Sequence, residues 1–260
     1  METFDLSSDL VQQQERVLVH TTTNERVFGI SAQPFTNILF TIVASLVTLN
    51  LLGIYLSVSQ ILPEKITTQY YRYVDFAKES NLPTVFSCII LFTASLLLYY
   101  VYASTAKTDP IRKFWKLMSV VFLYMCIDEG SNFHERFSII RKAIPVQLPS
   151  IFHYAWIIPY AVLLIALGIY IFKYLFALPK ATRNRFIIAG AVFVAGAMGC
   201  EVMEGYFDEL YGLENKVTLG IICLEETLEM TGVVLFIRAI LLHLQASGQS
   251  LSITPRPLSL

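Results

Sequence analysis

The amino-acid sequence predicts an all-α fold, a polytopic membrane bundle of six transmembrane helices. The chain has 260 residues, of which 55% are hydrophobic and only 15% charged, whereas soluble domains carry about 25% charged residues. The apolar residues are grouped in runs long enough to cross a hydrocarbon core of about 30 Å, at about 1.5 Å per helical residue. Short polar loops separate these runs, as expected for consecutive membrane-spanning helices.

Six runs are predicted to be the spans. They are residues 37–59, 83–104, 114–133, 151–172, 186–206 and 218–244. The first, second and fourth runs are compatible with lipid on every side. The third, fifth and sixth contain acidic residues, which a helix surrounded by lipid does not tolerate. Their long apolar flanks still favour spans, so the acids are expected to face the interior of the bundle.

The distribution of basic residues predicts the orientation of the chain. Lysine and arginine residues on the side of the two termini outnumber those on the opposite side by 12 to 7, so the positive-inside rule places both termini in the cytoplasm. We expect a cytoplasmic N-terminal tail over residues 1–35 without a cleavable signal peptide, a transmembrane domain over 36–244, and a flexible C-terminal tail over 245–260. The tyrosine-rich loop 60–82 is expected at the membrane interface.

Acidic residues recur in three predicted spans at matching depths. Asp128 lies about 21 Å from the start of the third span, and Glu201 lies about 22 Å from the start of the fifth. The sixth span runs the other way, which puts Glu225 about 20 Å from the same membrane edge. A second level nearer the rim holds five further residues: His134, Glu135, His153, Glu204 and Asp208.

Helical spacing gives the acids a common face. Asp128 and Glu135 are seven residues apart, and Glu225 and Glu229 are four apart, so each pair shares one side of its helix. An uncompensated carboxylate at the centre of a span costs about 2.5–3.5 kcal/mol, and no lysine or arginine lies at this level of the sequence. Three interpretations stay open: a metal site, proton or cation handling by partly protonated acids, and a structural hydrogen-bonded network.

The metal interpretation has a definite ligand set. The candidate ligands are Asp128, Glu129, His134, Glu135, His153, Glu201, Glu204, Glu225 and Glu229. Carboxylate oxygens with up to two imidazoles suit a divalent ion such as zinc, iron, manganese or calcium. Glu225, Glu226 and Glu229 are the candidate catalytic residues, as proton acceptors.

Two variants of the metal site are less well matched. Di-iron bundles use a Glu-x-x-His pair, whereas Glu129 and His134 are five residues apart. Thiolate ligation would favour zinc, and three cysteines lie three or four residues from an acid: Cys126, Cys200 and Cys223.

Four stretches resemble a group of multi-pass bacterial membrane proteins that has no assigned function. They are Val74–Thr84 with the acid Glu79, Ile127-Asp128-Glu129 followed by His134-Glu135, the pair Glu201 and Glu204, and Leu224-Glu225-Glu226-Thr227-Leu228-Glu229-Met230-Thr231-Gly232. The resemblance covers most of residues 70–243 and implies a bacterial inner membrane, plasma or thylakoid. The acid-rich third span is also similar to the alkaline ceramidase superfamily of membrane zinc hydrolases. The chain lacks the HxxxH pair of that superfamily and has six predicted spans instead of seven, so zinc amidase activity is not carried over.

Three functions follow as hypotheses. The first is a metal-dependent membrane enzyme that acts on a lipid or another hydrophobic substrate. The second is a cation or proton transporter that uses the acids as a relay, and the third is an accessory subunit of a larger membrane complex. The expected partners are therefore membrane lipid and, in the third case, other membrane proteins. A net charge of -1 argues against nucleic acid.

Overall fold

The computed structural model describes residues 31–133 and 153–248 of the chain. Within these ranges it contains seven helices and no strand. The helices are α1 (Ala32–Ser59), α2 (Glu64–Val74), α3 (Leu82–Ser104), α4 (Arg112–Ser131), α5 (Ile157–Ala177), α6 (Lys180–Tyr211) and α7 (Lys216–Ala246). The prediction of an all-α fold is confirmed for this part of the chain.

Five of the described helices are long and apolar enough to cross a membrane, namely α1, α3, α5, α6 and α7. Large apolar side chains such as Ile38, Leu96 and Ile169 are exposed on their outer surfaces, as expected where lipid is the solvent. α5 ends at Ala177, shortly before Pro179, and α6 begins directly after this proline. Proline is compatible with the start of a helix but not with its interior. The predicted fifth span therefore starts at Lys180, earlier than expected from its apolar run.

α4 has 20 residues but is not among these five helices, since it carries Lys116, Asp128 and Glu129. It packs antiparallel against α3 along most of its length. The Ser95 hydroxyl donates to the Ser119 backbone oxygen at 2.8 Å near the middle of the pair. Near the start of α3 and the end of α4, the Cys126 thiol lies 3.3 Å from the Cys88 backbone oxygen. Small side chains at these positions allow the two helices to approach closely.

α6 and α7 form a second antiparallel pair. A Cβ atom added to Gly232 of α7 would lie 2.7 Å from the backbone nitrogen of Phe193 in α6, so only glycine allows this approach. α1 also runs antiparallel to α7, with Arg238 Nη2 donating to Gln33 Oε1 at 2.5 Å. The start of α7 is capped by Asn215, whose side chain accepts from Val217 N at 2.9 Å.

The loop after α2 is held in place by buried hydrogen bonds. The Asn81 side chain donates to the backbone oxygens of Asp75 and Lys78, both at 2.6 Å. Its oxygen accepts from Thr84 N at 3.2 Å and so caps α3. These bonds close the loop over one end of the bundle and direct Glu79 into it.

Candidate functional site

A cavity of about 790 Å³ opens beside the loop that follows α2, with walls from α3, α4, α5, α6 and α7. Eight acids line it: Glu79, Asp128, Glu129, Glu201, Glu204, Glu225, Glu226 and Glu229. None of the described residues that line the cavity is lysine, arginine or histidine. The structure thus brings together acids from the third, fifth and sixth predicted spans, and no basic side chain in the described lining balances them.

Glu201, Glu204 and Glu225 form a compact triad within this cavity. One carboxylate oxygen of each lies within 4.8 Å of the other two. Two oxygens that bind the same cation at about 2.0–2.6 Å each are at most about 5 Å apart. The triad can therefore hold one divalent cation, with two ligands from α6 and one from α7.

Glu225 provides a second observation that favours a cation at the triad. It is buried, with 7% of its surface exposed, and its Oε2 atom has no hydrogen-bond partner among the described residues. Buried polar atoms are normally paired, and leaving one unpaired costs about 1–3 kcal/mol, or more if it is charged. A cation held by the triad would supply this partner.

α6 departs from α-helical geometry immediately before the triad. Residues Ala195–Cys200 form a π-helical segment, a feature that is common at functional sites. Within this segment a Cβ atom on Gly196 would lie 2.9 Å from the Glu225 backbone oxygen and 3.1 Å from Glu229 Cγ. Glycine at position 196 therefore allows the close approach of α6 and α7 that brings Glu201 next to Glu225.

Two tyrosines bind the acids, and neither was predicted. The Tyr154 hydroxyl lies 3.0 Å from Glu204 Oε1 and 3.0 Å from Asp208 Oδ2, so its proton is shared between two acceptors. Burial, and then the charges of these two acids, raise the pKa of Tyr154, which keeps the hydroxyl a donor. The Tyr160 hydroxyl donates to Asp128 Oδ1 at 3.1 Å. These bonds fix the orientation of Glu204 and Asp128.

Glu79 is a further acid that sequence reasoning did not assign to the site. It lies in the loop between α2 and α3, outside every predicted span, so the depth argument could not reach it. Its Oε2 atom accepts from the Thr84 hydroxyl at 3.3 Å. The only signal in the sequence was its place in the stretch that resembles other membrane proteins.

The other predicted site residues have different positions. Glu129, Glu226 and Glu229 line the cavity outside the triad. His153 does not line it; its Nε2 atom lies 3.3 Å from Asp208 Oδ2, and its Nδ1 atom lies 3.3 Å from Glu209 Oε2. His134 and Glu135 lie outside the described residues.

The cysteines are free thiols in this structure. Cys88 and Cys126 contact each other's backbone across α3 and α4, whereas Cys200 and Cys223 are buried. No cysteine occurs among the described residues that line the cavity, so the geometry favours oxygen ligands over thiolates.

Comparison with known proteins gives a family without a function. Neither a curated protein nor a solved structure matches the chain. The likeness to the multi-pass bacterial group and to the alkaline ceramidase superfamily therefore stays a prediction. One family model, described as a domain of unknown function, matches residues 38–244, the region that contains all eight acids of the cavity. The chain belongs to this family, DUF8692.

Proposed function

We propose that this protein is a membrane-embedded enzyme that uses a divalent metal ion, held by Glu201, Glu204 and Glu225, to act on a lipid or another hydrophobic substrate. The observation that carries the proposal is the position of the triad. It lies in a cavity whose remaining walls are mainly apolar and belong to helices of membrane-spanning length. A hydrophobic substrate can reach such a site without leaving the membrane.

The acids outside the triad have a distinct role in this proposal. The triad would hold a divalent ion that suits oxygen ligands, such as zinc, iron, manganese or calcium, and this ion would supply Lewis-acid activation of a substrate oxygen or of water. Glu226 and Glu229 reach the same cavity from α7 and act as proton acceptors. Tyr154 and Tyr160 hold Glu204 and Asp128 in fixed orientations.

Elemental analysis tests the metal. We expect wild-type protein purified without chelators to contain about one divalent ion per chain, since the triad has three ligands for one ion. The double variant Glu201→Gln, Glu225→Gln should contain none. Glu214→Gln is the matched control, because Glu214 is exposed and does not line the cavity. A wild-type protein with no more metal than the double variant would contradict the proposal.

Turnover is tested on the same three proteins. Each is incubated with a membrane lipid extract, and the products are followed by mass spectrometry. A lipid species should be consumed by the wild type and the control but not by the double variant. Equal lipid profiles with all three proteins would exclude a lipid substrate from that extract.

We also propose that α4 is the sixth membrane crossing and that both termini are cytoplasmic. α4 runs beside α3, itself long and apolar enough to span, from Ser119 opposite Ser95 to Cys126 opposite Cys88. Its acids Asp128 and Glu129 line the cavity instead of facing lipid, where acidic residues within a span are tolerated. Two variants test the number of crossings, each with a single cysteine in place of Lys107 or Glu214 in a protein that lacks the native cysteines. The measurement is the side of the membrane on which each cysteine lies. Six crossings place the two positions on opposite sides of the membrane, and five place them on the same side.

The π-helical segment favours one alternative, a cation or proton transporter. Such a segment directly before Glu201 is a place where α6 can change its geometry, and the cavity acids would then act as a relay. Proteoliposomes loaded with a pH or cation indicator test this function. Flux that is lost in Glu225→Gln and kept in Glu214→Gln would support transport over catalysis. A role as an accessory subunit stays a prediction.

A further inference from the structure

α5 forms one side of the cavity. Among the residues of α5, only Ile157 is buried. Four side chains of α5 line the cavity: Tyr160, Leu163, Leu164 and Leu167. Their spacing places them on one face of the helix. The outward face is open, with Ile165 62% and Ile169 74% exposed. α5 is therefore a wall between the cavity and the surrounding lipid.

α4 and α6 add apolar side chains to the lining of the cavity. α4 contributes Val120 and Val121, and α6 contributes Phe193 and Val194. Apolar walls that face a void lose their dispersion contacts, and water gains few hydrogen bonds beside them. A volume of about 790 Å³ lies within the range of about 300–1,000 Å³ that is usual for ligand pockets. A hydrocarbon chain fits this part of the cavity best.

The other part of the cavity selects the charge of the ligand. Eight acids line it, and no lysine or arginine occurs in its described lining. One divalent ion at the triad would engage only three of these eight acids. Glu225, which lines the cavity, in addition has a buried Oε2 atom with no hydrogen-bond partner among the described residues. An anionic head group is repelled by this lining, whereas an ammonium group is attracted.

We propose that the cavity binds a single-chain lipid with a cationic head group, which enters from the membrane beside α5. The hydrocarbon chain lies against Leu163, Leu164 and Leu167. The ammonium group lies among the acids outside the triad, which include Glu129, Glu226 and Glu229. The inference names the substrate class of the enzyme proposed above and in that respect rests on it.

Photo-crosslinking tests the inference. Two probes are compared in nanodiscs, an alkylamine and a fatty acid of equal chain length that carry the same diazirine. We expect the amine to label α5 or the facing residues of α4 and α6 at least tenfold more than the fatty acid. Excess alkyltrimethylammonium without a diazirine should compete with this label.

Matched variants locate the label. Leu164→Trp fills the cavity and should reduce labelling by the amine at least fivefold, whereas Ile165→Trp, on the lipid-facing side of the same helix, should leave it unchanged. Equal labelling by the two probes, or labelling insensitive to both Leu164→Trp and the competitor, would overturn the inference. The competitor experiment needs no variant, so a folding defect of Leu164→Trp does not affect it.

The Glu201→Gln, Glu225→Gln protein separates this inference from the proposed enzyme. Four of the cavity acids are unchanged on α4 and α7, so the amine probe should still label that protein although its metal is lost. Metal in the wild type without preferential amine labelling would overturn the lipid inference alone. Preferential labelling of a wild type that contains no metal would overturn the enzyme alone.

Discussion

The two ends of the bundle are built by the same helices and differ in packing. At the end where α4 and α6 begin and α7 ends, aromatic rings fill the interior. Trp115 is 1% exposed, and its ring centroid lies 5.0 Å from that of His243 and 5.9 Å from that of Phe186. At the opposite end the same three helices line the acidic cavity. We call these two regions the aromatic end and the acidic end.

The difference shows how the fold can tolerate its acids. Dense packing at the aromatic end contributes the burial that stabilises the bundle. The acidic end contributes an unpaired buried oxygen and a cluster of like charges, both of which are destabilising without a ligand. A bundle anchored at one end can keep such a site open at the other.

The largest expected effect is on stability at the aromatic end. Trp115→Ala should lower the free energy of unfolding by about 3–5 kcal/mol, because it leaves a cavity in dense packing. Trp156→Ala, where the ring lines the existing cavity, should cost less. Thermal unfolding in one detergent compares the two. A greater loss in Trp156→Ala would contradict the distinction between the ends.

An intermediate effect is expected beside the triad, at Gly196. Gly196→Ala should cost about 1–3 kcal/mol and should also weaken cation binding, because the new methyl group forces α6 away from Glu225. Gly199→Ala is the matched control, since a Cβ atom there has no heavy atom within 4 Å. Cation titrations of the two variants measure the difference. Equal affinities would mean that the close approach does not shape the triad.

The smallest expected effect is the loss of a single hydroxyl at the acidic end. Tyr154→Phe should cost about 1 kcal/mol, the net value of a typical hydrogen bond. It should also change the pH dependence of stability. Because the pKa of Tyr154 is raised in the folded protein, the unfolded chain loses this proton first, and stability falls as the pH rises above about 10. The variant should lack this part of the decline in alkaline unfolding experiments.

Much of the acidic end could be predicted from the sequence. The helical rise and the alternating direction of the spans are regular, so residue spacing alone allows the depths of Asp128, Glu201 and Glu225 to be compared. The same regularity predicted His153 and Asp208 at one level, and in the structure His153 Nε2 lies 3.3 Å from Asp208 Oδ2. Glu229 is four residues after Glu225 and three after Glu226. This helical spacing predicts that Glu226 and Glu229 line the cavity together with Glu225.

Other parts could not be predicted, for physical reasons. The π-helical segment lies where Gly196 approaches α7, and such a tertiary contact is not visible in the sequence. Tyr154 lies within the predicted span 151–172, but in the structure it precedes α5, so helical periodicity could not give the direction of its side chain. Tyr160 was predicted within an ordinary apolar span. The Tyr160 hydroxyl lies 2.7 Å from the hydroxyl of Tyr124. Tyr124 is one helical turn before Asp128, so the sequence could have indicated that these two residues share a helix face.

The central claim is that the Glu201, Glu204 and Glu225 triad binds a divalent cation. Electron paramagnetic resonance of Mn²⁺ added to chelator-treated protein tests it most directly, because bound and free Mn²⁺ give different spectra. We predict one tightly bound Mn²⁺ per chain in the wild type and in Glu214→Gln, and at least a tenfold weaker site in Glu225→Gln. Equal binding by the wild type and Glu225→Gln, or no binding by either, would contradict the account.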